Sequence, residues 1–426
     1  MKGYFFCFII IAMLAGCSST KSRNISNNHY VRLNNLFENH QYFKLSDEFE
    51  RNEKQLSERE RLILSAKLNS VFNRKEMSNS DIEVLFKNHN NALADSTKIQ
   101  LLEIEMNNSV LLYDYKNALE IAEKIIAFPT DLSEEEKMDY ENNRTIFNIL
   151  KNVPKQTISI SETSLPITKD IAGLSRIPVK LGNTEQSAVF DTGANFSVIT
   201  DSLALKTGLK ILDGTFKVTA ITGNKVDSKI AVAETVKLGN TRVSNVIFLV
   251  FPEASLSFPE ANYAIETIIG FPAIEALKEL HIVKDSIFYV PKNQSSNVSQ
   301  NLALDFLTPV VEVIENGRSL PFTFDTGASG TMLYNPYLKD YEETIKNGKL
   351  DSIQIGGAGG SKFIKIYHIP FTGKISGNEF ILKNTTVNSE KNPKDKSGIY
   401  GNLGKDVLNQ FDTLTLNFEK MFLKLN

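Results

Sequence analysis

The pentapeptide Phe190-Asp191-Thr192-Gly193-Ala194 returns as Phe324-Asp325-Thr326-Gly327-Ala328. With each residue type near one in twenty, the central tripeptide is expected about 0.05 times in a chain of this length. Two copies point to one unit used twice. Asp191 and Asp325 lie 134 residues apart, and the same offset carries Gly223 onto Gly357, Gly270 onto Gly404, Ile274 onto Leu408, Leu277 onto Phe411 and Phe288 onto Phe422 without a gap. An aspartate followed by small residues in a tight turn suits a carboxylate that must face a second one. Two carboxyl groups about 3 Å apart cannot both ionise, so the pair holds one proton between them. One member can then take a proton from water while the other gives one to a carbonyl oxygen.

An apolar residue, Asp-Thr-Gly and then Ala resembles the motif of the aspartic peptidases of the pepsin and retropepsin clan. So does the apolar pair followed by Gly, here Ile268-Ile269-Gly270 and Asn402-Leu403-Gly404, which in that clan lies behind each catalytic loop. Asn402 departs from the pattern, which leaves the packing behind the second loop open. The resemblance covers residues 165–426 and implies a mainly-β, bilobal fold with retropepsin-like lobes at 165–290 and 302–426. It also implies Asp191 and Asp325 as the catalytic dyad of an aspartic endopeptidase that acts on a peptide or protein and needs no cofactor. Thr192 and Thr326 are then expected to reach across to the opposite loop's backbone, and Gly193 and Gly327 to allow close approach where a side chain would clash. Ala194 and Ala328 stand where pepsins commonly carry a hydroxyl that favours the ionised carboxylate. Without it, the dyad is expected to keep its proton to higher pH and to work nearer neutrality.

Substrate flaps are expected at Ala220-Ile221-Thr222-Gly223-Asn224 and at Ile355-Gly356-Gly357-Ala358-Gly359-Gly360, where glycines permit tight hairpin tips. Neither tip carries the tyrosine of a pepsin flap, so the chain resembles a fused retropepsin dimer more closely. The glycines at 356–360 run into a strand-like stretch and lack the Gly-Lys-Ser/Thr that opens a phosphate-binding helix, which excludes that reading. The five histidines form no pair at ligand spacing, so no metal site is expected. A formal charge of −3 provides no basic field for nucleic acid.

Residues 1–17 read as an export signal, with Lys2 ahead of an apolar run and Leu14-Ala15-Gly16-Cys17 at its end. That ending resembles a bacterial lipobox, which implies lipidation of Cys17, anchorage to a membrane without spanning it, and a place on the outer membrane facing the periplasm. An ordinary signal peptide with a chance cysteine is the alternative. Cys7 and Cys17 are the only cysteines, so the processed chain has no thiol left for a disulfide, a metal or catalysis. Residues 18–29 read as a polar tether.

From 30 to 153 the pattern is helical. Ser57 with Glu60, Ser80 with Glu83 and Ser133 with Glu136 have capping-box spacing. Ile99, Leu102, Met106 and Val110, then Leu119, Ala122, Ile125 and Ile126, fall on helix faces. Leu112 to Ala122 resembles the turn and second helix of a tetratricopeptide repeat, with a looser echo at His40 to Leu45. Such repeats would offer a concave face to a protein partner; a spacer bundle and an inhibitory prosegment remain open. Pro154 and the Ser/Thr-rich stretch to Asp170 mark a boundary. Beyond it the period is two, at Ile177, Val179 and Leu181 and again at Val311 and Val313. Residues 290–301 read as a polar connector. A binding protein that keeps the peptidase fold without turnover is the rival function.

Overall fold

The computed structural model describes residues 28–129, 132–219, 223, 225–296, 299–357, 359–390 and 398–426, with the short strand Phe5–Phe6. Cys17, most of the signal and tether segments, Thr222 and Ala358 lie outside the described residues. The chain divides into a helical unit that ends at Lys155 and a β-rich unit that runs from Gln156 to Asn426.

The helical unit contains α1 (Asn28–Glu38), α2 (Tyr42–Asn52), α3 (Glu58–Val71), α4 (Lys75–Asn88), α5 (Asp95–Leu111), α6 (Tyr115–Ile126) and α7 (Glu134–Leu150). The turns from α1 to α2, α3 to α4 and α5 to α6 share one geometry. His40, Asn73 and Tyr113 take left-handed φ values of 56°, 60° and 56°. The next residue then donates its N–H to a carbonyl five back: Gln41 to Leu36 (2.8 Å), Arg74 to Asn69 (2.7 Å) and Asp114 to Ser109 (2.8 Å). These bonds satisfy carbonyls that a helix end leaves free. Capping boxes at Ser57–Glu60 and Ser133–Glu136 open α3 and α7. The third expected box is corrected: Ser80 sits inside α4, which the Asn73 turn has already started at Lys75. Leu62, Ile63, Ala66, Ile82, Leu85, Leu101 and Ile104 pack as a core, and Ile99, Leu102, Met106 and Val110 are buried along α5. Among the described residues no helix is long and apolar enough to cross a membrane.

In the β-rich unit, Ser175–Leu181 and Thr184–Phe190 form a hairpin, and Val189 and Phe190 pair in parallel with Ile268 and Ile269. The long hairpin Lys225–Leu238 with Thr241–Phe251 continues the sheet through Ser197–Thr200. Its counterpart has the hairpin Thr308–Glu315 with Arg318–Phe324, parallel pairing of Thr323 and Phe324 with Asn402 and Leu403, and the long hairpin Gly360–Ile375 with Asn378–Asn388 joined through Met332–Leu333. The same strand neighbours thus recur in both sheets. Their alternation arises from the two-residue period: Ile177, Val179 and Leu181 are buried in one, Val311 and Val313 in the other. A further sheet takes strands from both halves, with Glu279–Val283 antiparallel to Thr413–Asn417. Phe288, on the neighbouring strand Ile287–Val290, meets Phe190 edge-on with ring centroids 5.0 Å apart. The residue before Asp191 is therefore pinned in the core, a contact of the aromatic geometry that adds to simple burial.

Candidate active site

Each Asp-Thr-Gly-Ala loop leaves the end of a strand and is held by the parallel strand behind it. Asp191 donates its N–H to the Ile269 carbonyl and Asp325 to the Leu403 carbonyl, both at 3.1 Å. The loops close when Phe271 donates to Ala194 O (2.7 Å) and Lys405 to Ala328 O (3.0 Å).

The loops grip one another through their threonines. Thr192 Oγ1 donates to Phe324 O (3.0 Å) and accepts from Thr326 N–H (3.0 Å). Thr326 Oγ1 donates to Phe190 O (2.9 Å) and accepts from Thr192 N–H (3.0 Å). All four bonds are buried, so each is worth more than its exposed equivalent and expensive to leave unmade. Gly193 and Gly327 lie against the opposite carboxyl: a Cβ on either would stand 2.5 Å from Asp325 Cγ or Asp191 Cγ respectively. Only glycine fits. Each aspartate also accepts its own loop's glycine N–H, Asp191 Oδ1 from Gly193 at 2.8 Å and Asp325 Oδ1 from Gly327 at 2.7 Å.

The carboxyls are 0% and 2% exposed. Burial pushes the Asp191 carboxyl well above the usual carboxylate range, and the facing Asp325 charge and hydrogen bond push it further, against the N–H groups of Gly193 and Ala194. Burial also pushes Asp325 up, to about 6; the hydrogen bonds from Asp191, the Asn402 amide and the N–H groups of Gly327 and Ala328 pull the other way. Asp191 Oδ2 is buried with no hydrogen-bond partner in the protein.

Gly223 and the pair Gly356–Gly357 lie on hairpins of their respective sheets. Thr219 pairs with Lys225 on the first, and Gly357 with Gly360 on the second. Gly223 and Gly359 take φ values of 88° and 86°, which a side chain would strain. Gly359 donates its N–H to Ser255 O (2.7 Å), so the second hairpin's tip is tied to the short helical turn Glu253–Leu256 of the other half. Ala194 and Ala328 are fully buried beside the aspartates. Among the described residues no three His, Cys, Asp or Glu side chains converge as a metal site.

Asn402 is the site residue that sequence reasoning left without a role. The strand holding it keeps the register of its counterpart, so packing behind the second loop is undisturbed. Its amide donates to Asp325 Oδ2 (3.2 Å), and its own oxygen accepts from Thr323 Oγ1 (2.6 Å). A signal existed: the repeat offset sets Thr323 on Val189 and Asn402 on Ile268, two polar residues on an apolar pair.

Residues 177–273 match a family model described as aspartyl protease. The matched stretch contains the Asp191 loop and the strand Thr267–Ile269 behind it. The chain is also similar to a solved structure, a retropepsin-like aspartic protease from Rickettsia conorii, at 22% identity over 32% of this chain and 96% of that one, with a TM-score of 0.23. No curated protein matches.

Proposed function

We propose that this protein is an aspartic endopeptidase built from two retropepsin-like lobes, with Asp191 and Asp325 as its dyad. The observation that carries the reading is the double threonine crossing, which sets each buried carboxyl against the other loop's glycine. The match of 177–273 to the aspartyl protease model supports the same chemistry. With one proton between them, the carboxylate takes a proton from water as the water oxygen bonds to the peptide carbonyl carbon, and the protonated partner gives its proton to the carbonyl oxygen. The resulting diol collapses when the first carboxyl returns its proton to the leaving nitrogen, the C–N bond breaks, and a diol hydroxyl restores the second carboxyl's proton. No covalent enzyme intermediate and no cofactor take part. An extended peptide lies under the hairpins that carry Gly223 and Gly356–Gly357 and adds to their strands through backbone hydrogen bonds.

The chain is exported and anchored by lipid on Cys17 to the outer membrane, facing the periplasm. The recurring helix–turn–helix geometry at His40, Asn73 and Tyr113 supports a tetratricopeptide-like role for the helical unit, which recruits a protein partner. Cleavage of a mixed peptide library by the full chain in detergent, from pH 3 to 8, tests the catalytic reading beside Asp191→Asn and Asp325→Asn. Either substitution should abolish cleavage. Turnover that survives one of them rejects the dyad, and a folded wild type silent at every pH rejects the peptidase for a binding protein. Loss of radiolabelled fatty acid in Cys17→Ser is the result expected of the anchor.

A further inference from the structure

We propose that Asn402, oriented by Thr323, breaks the equivalence of the two loops, making Asp325 the base that takes the water's proton and leaving Asp191 as the acid that serves the carbonyl oxygen. The inference rests on the dyad reading above and assigns its two roles.

The geometry is one-sided. Thr323 and Asn402 are direct neighbours across parallel strands, as Val189 and Ile268 are in the first half. Both members of the second pair are polar and both members of the first are apolar. Thr323 offers its hydroxyl proton to Asn402 Oδ1 at 2.6 Å, which leaves the amide N–H to point at Asp325. That N–H reaches Asp325 Oδ2 at 3.2 Å in a fully buried setting. Asp191 Oδ2, the corresponding oxygen across the dyad, receives no amide donor of this kind.

A donor stabilises the ionised form of the carboxyl it touches and does nothing for the protonated one. Asp325 has this donor and Asp191 does not, so the shared proton resides on Asp191. The other charged groups near Asp325 do not offset the effect. Asp191 faces it from the opposite loop, and its carboxyl interaction favours the same partition. On the helix that follows the Asn402 strand, Lys405 directs its Nζ to Gly173 O (2.6 Å), and Asp406 accepts from Thr331 N–H (2.9 Å) and Oγ1 (2.7 Å). At the far end of the strand before Asp325, Arg318 pairs with Asp340.

The test is the double variant Thr323→Val/Asn402→Ile, which installs in the second half the pair that the first already accommodates. Two readouts are taken on the full chain: the pH–rate profile of peptide cleavage, and carboxyl 13C NMR titration of protein labelled at the aspartate Cγ, with Asp191→Asn to assign the signals. Removal of a hydrogen bond to a buried charge should move the acidic limb and the Asp325 titration upward together by about 1–2 pH units. Thr323→Val alone keeps the amide but frees its orientation, and should move both in the same direction by less; it decides the question if the double variant fails to fold. A structural role alone would lower kcat and leave the limb where it was. A folded variant whose limb and carboxyl stay in place overturns the inference. The NMR titration needs no turnover, so an inactive wild type with a movable Asp325 would reject the peptidase reading, and the acid and base roles with it, while keeping the placement of the shared proton on Asp191.

Discussion

Asp191→Asn should make the protein inactive and more stable at the same time. The substitution suits the site because Asp191 Oδ1 accepts the Gly193 N–H while Oδ2 has no protein partner. An asparagine can keep the first bond and put its nitrogen where the second oxygen was, facing the Asp325 carboxyl across the dyad. The gain comes from linkage. A buried carboxyl with a raised folded-state pKa supports the fold fully only below the unfolded value of 3.8, where both states hold the proton. As pH rises the unfolded chain releases its proton and the folded one does not, so stability falls by about 1.4 kcal/mol per pH unit until the folded value is passed. Each pH unit between those two values therefore costs the wild type about 1.4 kcal/mol that an asparagine never loses. For a unit of this size that corresponds to a Tm gap in favour of the variant that widens by roughly 3–6 °C per pH unit. Calorimetric melts of both proteins at pH 4, 5 and 6 should diverge steadily, starting from near coincidence at pH 4. Equal Tm values at pH 6, or a variant that melts lower, would refute the placement of the proton on a buried Asp191.

Cleavage should rise as pH increases through about 6, where Asp325 loses its proton; a rate maximum below pH 4 contradicts this. Thr192→Val removes the donor to Phe324 O and the acceptor for Thr326 N–H, two buried backbone groups. Orphaning them costs about 4 kcal/mol together, lowers Tm by roughly 10 °C and, by loosening the dyad, cuts kcat about 100-fold. A melt that does not move shows the crossing to be dispensable. Gly193→Ala drives a methyl to 2.5 Å from Asp325 Cγ, and displacement of that carboxyl should reduce kcat at least about 100-fold in a steady-state peptide assay. Wild-type turnover in that variant would mean that the two loops do not approach as closely as they do here.

Much of this architecture is written in local chemistry. A pentapeptide that recurs with its glycines at one offset, a helical period before Pro154 and a two-residue period after it are readable because each depends on neighbours in sequence. Ser80 shows the limit of such signals. Serine and glutamate three apart suit an exposed helix face as well as a helix start, and the choice was made by Asn73, whose left-handed turn lies outside the motif. Lys67 is another case: it is buried, its Nζ held by Asn34 (2.7 Å), Glu38 (3.1 Å) and Gln100 (3.2 Å) from two other helices. No window of sequence contains that set. Asn402 was legible as a departure but not as a partner, because its meaning depends on which residue stands across the strand and which carboxyl lies beyond it.

That departure bears on why both halves are in one chain. A site made by two copies of one chain must carry any change on both sides, so an amide donor introduced behind one aspartate appears behind the other as well. Both carboxylates are then favoured as anions, and the repulsion between them grows without settling which one keeps the proton. A single chain can place Thr323 and Asn402 behind Asp325 and keep Val189 and Ile268 behind Asp191. The crossed threonines preserve the symmetry that geometry requires, since both carboxyls must lie against the opposite glycine. In the proposed dyad protonation requires the opposite, one acid and one base, and Thr323 and Asn402 would supply that asymmetry from the two paired strands beside Asp325, altering its charge without moving it.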